Sequence, residues 1–98
     1  MQTIEQDVDE ARTVRMLRAL ANPARFRIVQ VLARRQTCVC SEIVDELPLA
    51  QSTVSEHLKV LKDAGIVQGT IDGPNTCYCL DPRAFEWLKQ RLSLAGCC

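Results

Sequence analysis

Between Leu47 and Val67 the chain reads LPLAQSTVSEHLKVLKDAGIV, and this stretch restricts the fold more than any other. Val54, Leu58 and Leu61 recur at i, i+4 and i+7, so they trace one apolar face of a helix. The other face carries Gln51, Ser52, Ser55, Glu56, Lys59 and Lys62, polar side chains crowded toward the helix start. Gly65 offers the left-handed position just past a helix end, and Ile66 the apolar contact beyond it. Pro48 keeps the preceding helix from running through. Two helices this close, the second polar at its N-terminal end, have the pattern of a helix-turn-helix. In that motif the first side chains of the second helix meet base edges in the major groove. Gln can pair bidentately with adenine, Ser and Thr can pair with several bases, and Thr can also touch a thymine methyl. An ordinary amphipathic helix with a solvated face fits the same stretch, so the rest of the chain must decide.

The 98 residues suit a single domain over 1–98. A chain this short leaves much apolar surface exposed, which a dimer interface would help to bury. No apolar run reaches membrane-spanning length, and the acidic opening has no signal-peptide pattern, so the expected location is the cytoplasm. Net charge is zero, which argues weakly against a nucleic-acid binder. The distribution argues more strongly the other way: residues 1–10 hold four acids and no base, and residues 11–41 hold seven Arg and no acid. Either this segment makes a local positive field or its Arg are scattered round two helices.

A first helix is expected from about Ile4 to Leu20, with Ile4, Val8, Ala11, Val14, Leu17 and Leu20 as its stripe. Asn22-Pro23 marks a restart, Asn as N-cap and Pro at the first helical position. The second helix, about Pro23 to Arg35, has a broad apolar arc including Phe26, Ile28, Val29, Val31, Leu32 and Ala33. Thr37–Val39 can form a brief strand, and a third helix is expected near Ser41 to Leu47. The candidate recognition helix spans about Ala50 to Ala64, with the poor capper Ala50 at its N-cap. Val67–Ile71 and Thr76–Leu80 read as a hairpin around Asp72-Gly73-Pro74-Asn75. Asp81 caps a last helix that begins at Pro82 and carries Phe85, Trp87, Leu88, Leu92 and Leu94. The expected class is therefore mainly α with a β-hairpin: a winged helix-turn-helix, ordered α-α-α-α(recognition)-β-β-α. The first and last helices are left as the natural dimer surface, and a dimer matches a two-fold operator.

Six cysteines fall in pairs, Cys38-x-Cys40, Cys77-x-Cys79 and Cys97-Cys98. In a cytosolic chain a disulfide framework is not expected. The pairing points to soft-metal or metalloid binding, or to redox sensing, and small buried thiols are the plainer alternative. In an extended segment, residues two apart point the same way, so Cys38 and Cys40 can converge on one ion.

Taken together, LANPARFRIVQVLA at Leu20–Ala33, TCVCSEIV at Thr37–Val44 and LAQSTVSEHLKVLKDAGIV at Leu49–Val67 resemble the ArsR (ArsR/SmtB) family of metal- and metalloid-responsive winged-helix repressors. The resemblance covers nearly the whole chain. It implies a homodimer that occupies double-stranded operator DNA and leaves it when an inducer binds. Gln51, Ser52, Thr53, Ser55, Glu56 and His57 would then face DNA, Lys59 would reach phosphate and Asn75 would touch backbone at the wing tip. Glu56 departs from the basic or amide residue of many relatives; it can accept from a cytosine amino group or point away.

The resemblance also places Cys38 and Cys40 where arsenic-responsive members keep their sensing thiols. The start of the helix there favours the thiolate, the ligand form. Trivalent arsenic or antimony prefers three thiolates, and the position of the third in known arsenic sensors is Ile43 here. A third ligand would come from Cys77 or Cys79, because the strand before the third helix often pairs with the second wing strand, or from Cys97 or Cys98 on the tail. The implied function is a repressor released by As(III) or Sb(III), with no intrinsic cofactor. A thiol redox or persulfide switch, or a Cd/Pb sensor of the same fold, remains open. An enzyme is not expected, since no phosphate loop, His-rich site or activated nucleophile is present in the sequence.

Overall fold

The computed structural model describes residues 4–35, 38–40, 49–70 and 77–93, the backbone alone at 4–8, 40 and 51. The expected third helix over 41–47 and the hairpin tip with Asn75 lie outside these, as do Cys97 and Cys98. The elements run α1 (Ile4–Leu20), α2 (Pro23–Arg35), β1 (Val39–Cys40), α3 (Gln51–Asp63), β2 (Val67–Thr70), β3 (Cys77–Leu80) and α4 (Pro82–Leu92).

Local chemistry sets the helix ends. Asn22 Oδ1 accepts from the backbone N–H of Arg25 at 3.1 Å, three residues on, with Pro23 at the first helical position. Asp81 does the same for α4 by accepting from the N–H of Arg83 at 3.0 Å. Ala50 takes the extended N-cap conformation of α3 with no side-chain cap. At the other end of α3, the N–H of Gly65 donates to Lys62 O and that of Ile66 to Leu61 O. That is a Schellman ending, with Gly65 at φ 81° and Ile66 fully buried under it.

The core joins Ile28, Val31 and Leu32 of α2 with Val54, Leu58 and Leu61 of α3, then Ile66, Val67, Val39 and Tyr78 from the sheet and Leu88 from α4. On α1 the buried residues among those described are Met16 and Ala19, whereas Val14 and Leu17, on the stripe left for a dimer surface, are 42% and 39% exposed. Both sets share the helical period, and only packing against α2 and α3 selects the phase. One sequence expectation needs correction: on α2, Phe26 is 50% exposed, so the broad arc is not buried all round.

The sheet has three strands in the order β1-β3-β2. β2 and β3 form the antiparallel hairpin, Val67 opposite Leu80 and Thr70 opposite Cys77. β1 lies on the far side of β3, with Val39 opposite Tyr78 and Cys40 opposite Cys77. It shares Val39 with the expected Thr37–Val39 and runs on to Cys40, while Thr37 lies outside the described residues; Val39 is buried and Cys38 exposed, as alternation along a strand requires.

Candidate nucleic-acid interface and thiol cluster

The candidate reading helix is α3. Its core face, Val54, Leu58 and Leu61, is 1% exposed or less, which fixes the rotation of the helix and leaves Ser52, Thr53, Glu56 and Lys59 exposed and Ser55 half-buried. Gln51 opens the helix. With no side-chain cap and no acid in the first turn, the positive end of α3 keeps backbone N–H donors of the kind that take a phosphate oxygen.

His57 is half-buried and meets Arg25, whose Nη1 lies 3.4 Å from His57 Nδ1. Guanidinium only donates, so Nδ1 is the accepting side of this contact. Arg25 also donates through Nε to Ala19 O at 2.7 Å. One side chain thus links the end of α1, the start of α2 and the middle of α3. From the sequence Arg25 is one of the seven Arg of residues 11–41, with no role of its own. Its position three residues after a capping Asn was the available signal. Lys62 donates through Nζ to Gly69 O at 2.6 Å, tying the end of α3 to the first wing strand.

The thiols gather on the side of the sheet away from Val39 and Tyr78. Cys38 and Cys79 form a disulfide, with Cα atoms 4.3 Å apart and 41 residues between them in sequence. Opposed residues on antiparallel strands alternate between wide pairs, about 5.5 Å between Cα atoms, and narrow pairs, about 4.5 Å. The Cys38–Cys79 distance marks a narrow pair. Two residues along, Cys40 stands opposite Cys77, which the same alternation makes narrow. Cys77 is itself disulfide-bonded. Two C-x-C segments thus lie antiparallel with their cysteines in register. Among the described residues no group of three or more His, Cys, Asp or Glu forms a ready metal cluster. A third sulfur beside Cys38 and Cys79 would come from Cys40 or from a rearranged Cys77.

Cys38 is exposed and Cys79 half-buried, with Gln68 Nε2 3.9 Å from Cys79 Sγ. Both cysteines line a cavity of about 550 Å³ together with Leu32, Ala33, Leu80 and Phe85. No helix among the described residues is long and apolar enough to cross a membrane.

Comparison with known proteins bears on this arrangement. The family described as "Bacterial regulatory protein, arsR family" matches residues 22–68. The "HTH-type transcriptional repressor SmtB" of Mycobacterium tuberculosis (strain ATCC 25618 / H37Rv) is 49% identical over 63 residues, which are 64% of this chain and 46% of that protein. The match therefore spans under half of that repressor's length. The "Probable mercury resistance operon repressor" of Streptomyces lividans is 38% identical over 85 residues, covering 86% of this chain and 67% of that one. A solved structure described as a "Possible transcriptional regulator for arsenical resistance" superposes with a TM-score of 0.68, at 32% identity and 80% coverage of both chains.

Proposed function

The chain belongs to the ArsR family of bacterial regulatory proteins, helix-turn-helix transcriptional regulators and not enzymes, and on that premise we propose that it is a homodimeric operator-binding repressor released by trivalent arsenic or antimony. The observation that carries this reading is the β1–β3 register, which sets Cys38 against Cys79 and Cys40 against Cys77. In the reduced protein these thiols supply Cys38 and Cys40 plus a third donor, Cys77 or Cys79, from the strand alongside. Soft thiolates suit such a metalloid. Gln51, Ser52, Thr53, Ser55 and Glu56 face the groove, Lys59 and the first turn of α3 take phosphate, and Asn75 reaches backbone from the wing.

Release follows from connectivity. β1 leads through residues 41–50 into α3, and β3 is the second strand of the wing. Drawing β1 and β3 onto one ion shifts the reading helix and the wing together, and two-fold related heads lose the spacing of their half-sites. A coupling of about 1.4 kcal/mol is already tenfold in affinity.

The test is fluorescence anisotropy of reduced protein on its own promoter duplex at fixed salt. Arsenite is expected to release the native chain, while the Cys38→Ser, Cys40→Ser double variant binds DNA and ignores arsenite. Release of that variant would remove these residues from the sensor. The Cys38–Cys79 disulfide favours a second reading, a thiol switch in which peroxide takes two electrons and two protons from the pair and leaves as water. Peroxide in place of arsenite, with intact mass to count disulfides, separates the two.

A further inference from the structure

Residues 11–41 carry seven Arg and no acid, and the fold gathers three of the seven round one recess. Arg15 and Arg18, three residues apart on one flank of α1, meet Arg25 of α2 there, in a space of about 230 Å³. The buried Ala19 and Ala64, with Val60 of α3, give it an apolar floor, and the exposed Asp63 edges it. Arg15 and Arg18 are exposed, and neither makes an ion pair among the described residues. Nor does Asp63, although it lines the same recess. Arg25 is held in place, with Nε on Ala19 O and Nη1 on His57 Nδ1, so that Nη2 remains for an outside acceptor.

Three guanidinium groups against one carboxylate make a site for an anion. Small-molecule sites begin at about 300 Å³, so this recess suits a single phosphate group rather than a larger ligand. Its place in the fold says whose phosphate. Ser52, Glu56, Lys59 and Asp63 follow one another at i, i+4, i+7 and i+11, one stripe of α3. The recess therefore borders the groove-facing stripe, one turn beyond Lys59.

We propose that Arg15, Arg18 and Arg25 clamp a backbone phosphate of duplex DNA beside the stretch that α3 reads. The inference rests on α3 being the DNA-facing helix and adds a contact made by α1 and α2. It accounts for how a chain of zero net charge holds a polyanion: the acids of residues 1–10 balance the total, while the local field at the recess stays positive. The clamp carries no base information, because a phosphate is the same at every step. Asp63 opposes it, a carboxylate beside phosphate oxygens, and holds the affinity below what the three Arg alone would give.

The experiment is fluorescence anisotropy of the reduced full chain over a salt series, on its promoter duplex and on a scrambled duplex of equal length. The logarithm of the binding constant falls with that of salt by about 0.9 for each phosphate neutralised. Arg15→Gln and Arg18→Gln are each expected to lower this slope by about 1 per bound protomer, and to weaken both duplexes by the same factor. Asp63→Asn is expected to tighten both by about twofold or more at low salt, a gain that fades as salt rises. Lys89→Gln removes the same charge from α4, away from the recess, and leaves the slope unchanged. Both Arg variants alter exposed side chains without ion pairs, and an unchanged urea midpoint shows that they fold. Native slopes in both Arg variants, or a loss confined to the promoter duplex, overturn the clamp. So does inorganic phosphate that, at matched ionic strength, displaces DNA from the native chain and not from the Arg15→Gln, Arg18→Gln double variant, since the recess then takes a free anion. A native chain that binds neither duplex fails the reading of α3 itself, whereas native binding with unaltered slopes in the variants fails the clamp alone.

Discussion

At the scale of single residues, two glycines with positive φ make opposite demands. Gly65, φ 81°, has open space where a Cβ would go. Gly65→Ala is expected to cost only the left-handed backbone, about 1–2 kcal/mol. Gly69, φ 128°, has none: a Cβ there would collide with the Cys77 carbonyl oxygen and stand 2.8 Å from Tyr78 Cα. Gly69→Ala must push β2 off β3, and the expected loss exceeds that of Gly65→Ala by at least about 1 kcal/mol. Urea unfolding of both variants checks the order, and equal losses would show that the wing gives way freely. Gly65 was legible because a helix end is a local event. Gly69 was not, because the atoms that exclude a side chain belong to the opposite strand.

At the scale of elements, α3 is held by its core face and its Schellman ending and lacks a side-chain cap at Ala50. Ala50 already has the extended N-cap backbone, φ −66° and ψ 151°, so Ala50→Ser needs no rearrangement. It is expected to raise stability by about 1 kcal/mol, read as a higher urea midpoint at unchanged slope. The sequence placed most elements within a residue or two, because caps, turn residues and apolar period are all local. It did not settle which stripe of α1 is buried, since Met16 and Ala19 repeat with the same period as Val14 and Leu17. Nor did it choose among the cysteines. Residues two apart share a strand face, which holds for Cys77 and Cys79 alike, but which of them lies opposite Cys38 depends on a register set by Val39 and Tyr78.

At the scale of the whole molecule, α1 and α4 are clasped by one ring. The Arg12 and Arg91 guanidinium carbons lie 4.2 and 4.7 Å from the Trp87 ring centroid. Arg91 also meets Asp9 at 3.2 Å, a pair exposed enough to contribute under about 1 kcal/mol. Trp87→Ala releases both guanidinium contacts, each worth about 0.5–1 kcal/mol, besides the buried area of the ring. If the exposed Val14 and Leu17 of α1 with Leu92 of α4 form the proposed dimer surface, this variant is expected to dissociate at higher protein concentration than the native chain. Sedimentation across a dilution series reads the shift directly. A monomeric native chain would remove the two-headed reader altogether.

The central strand of the sheet carries a last consequence, for how the chain is made. β3 borders β1 on one side and β2 on the other, and its partner Cys38 lies 41 residues earlier. Contacts so distant in sequence close slowly, whereas helices and their turns form from near neighbours. On a ribosome, the base-reading segment can thus be shaped before the second sulfur of the pair has left the exit tunnel. The helix bearing Ser52 to Lys59 is thus laid down before the strand pairing that brings Cys79 to Cys38.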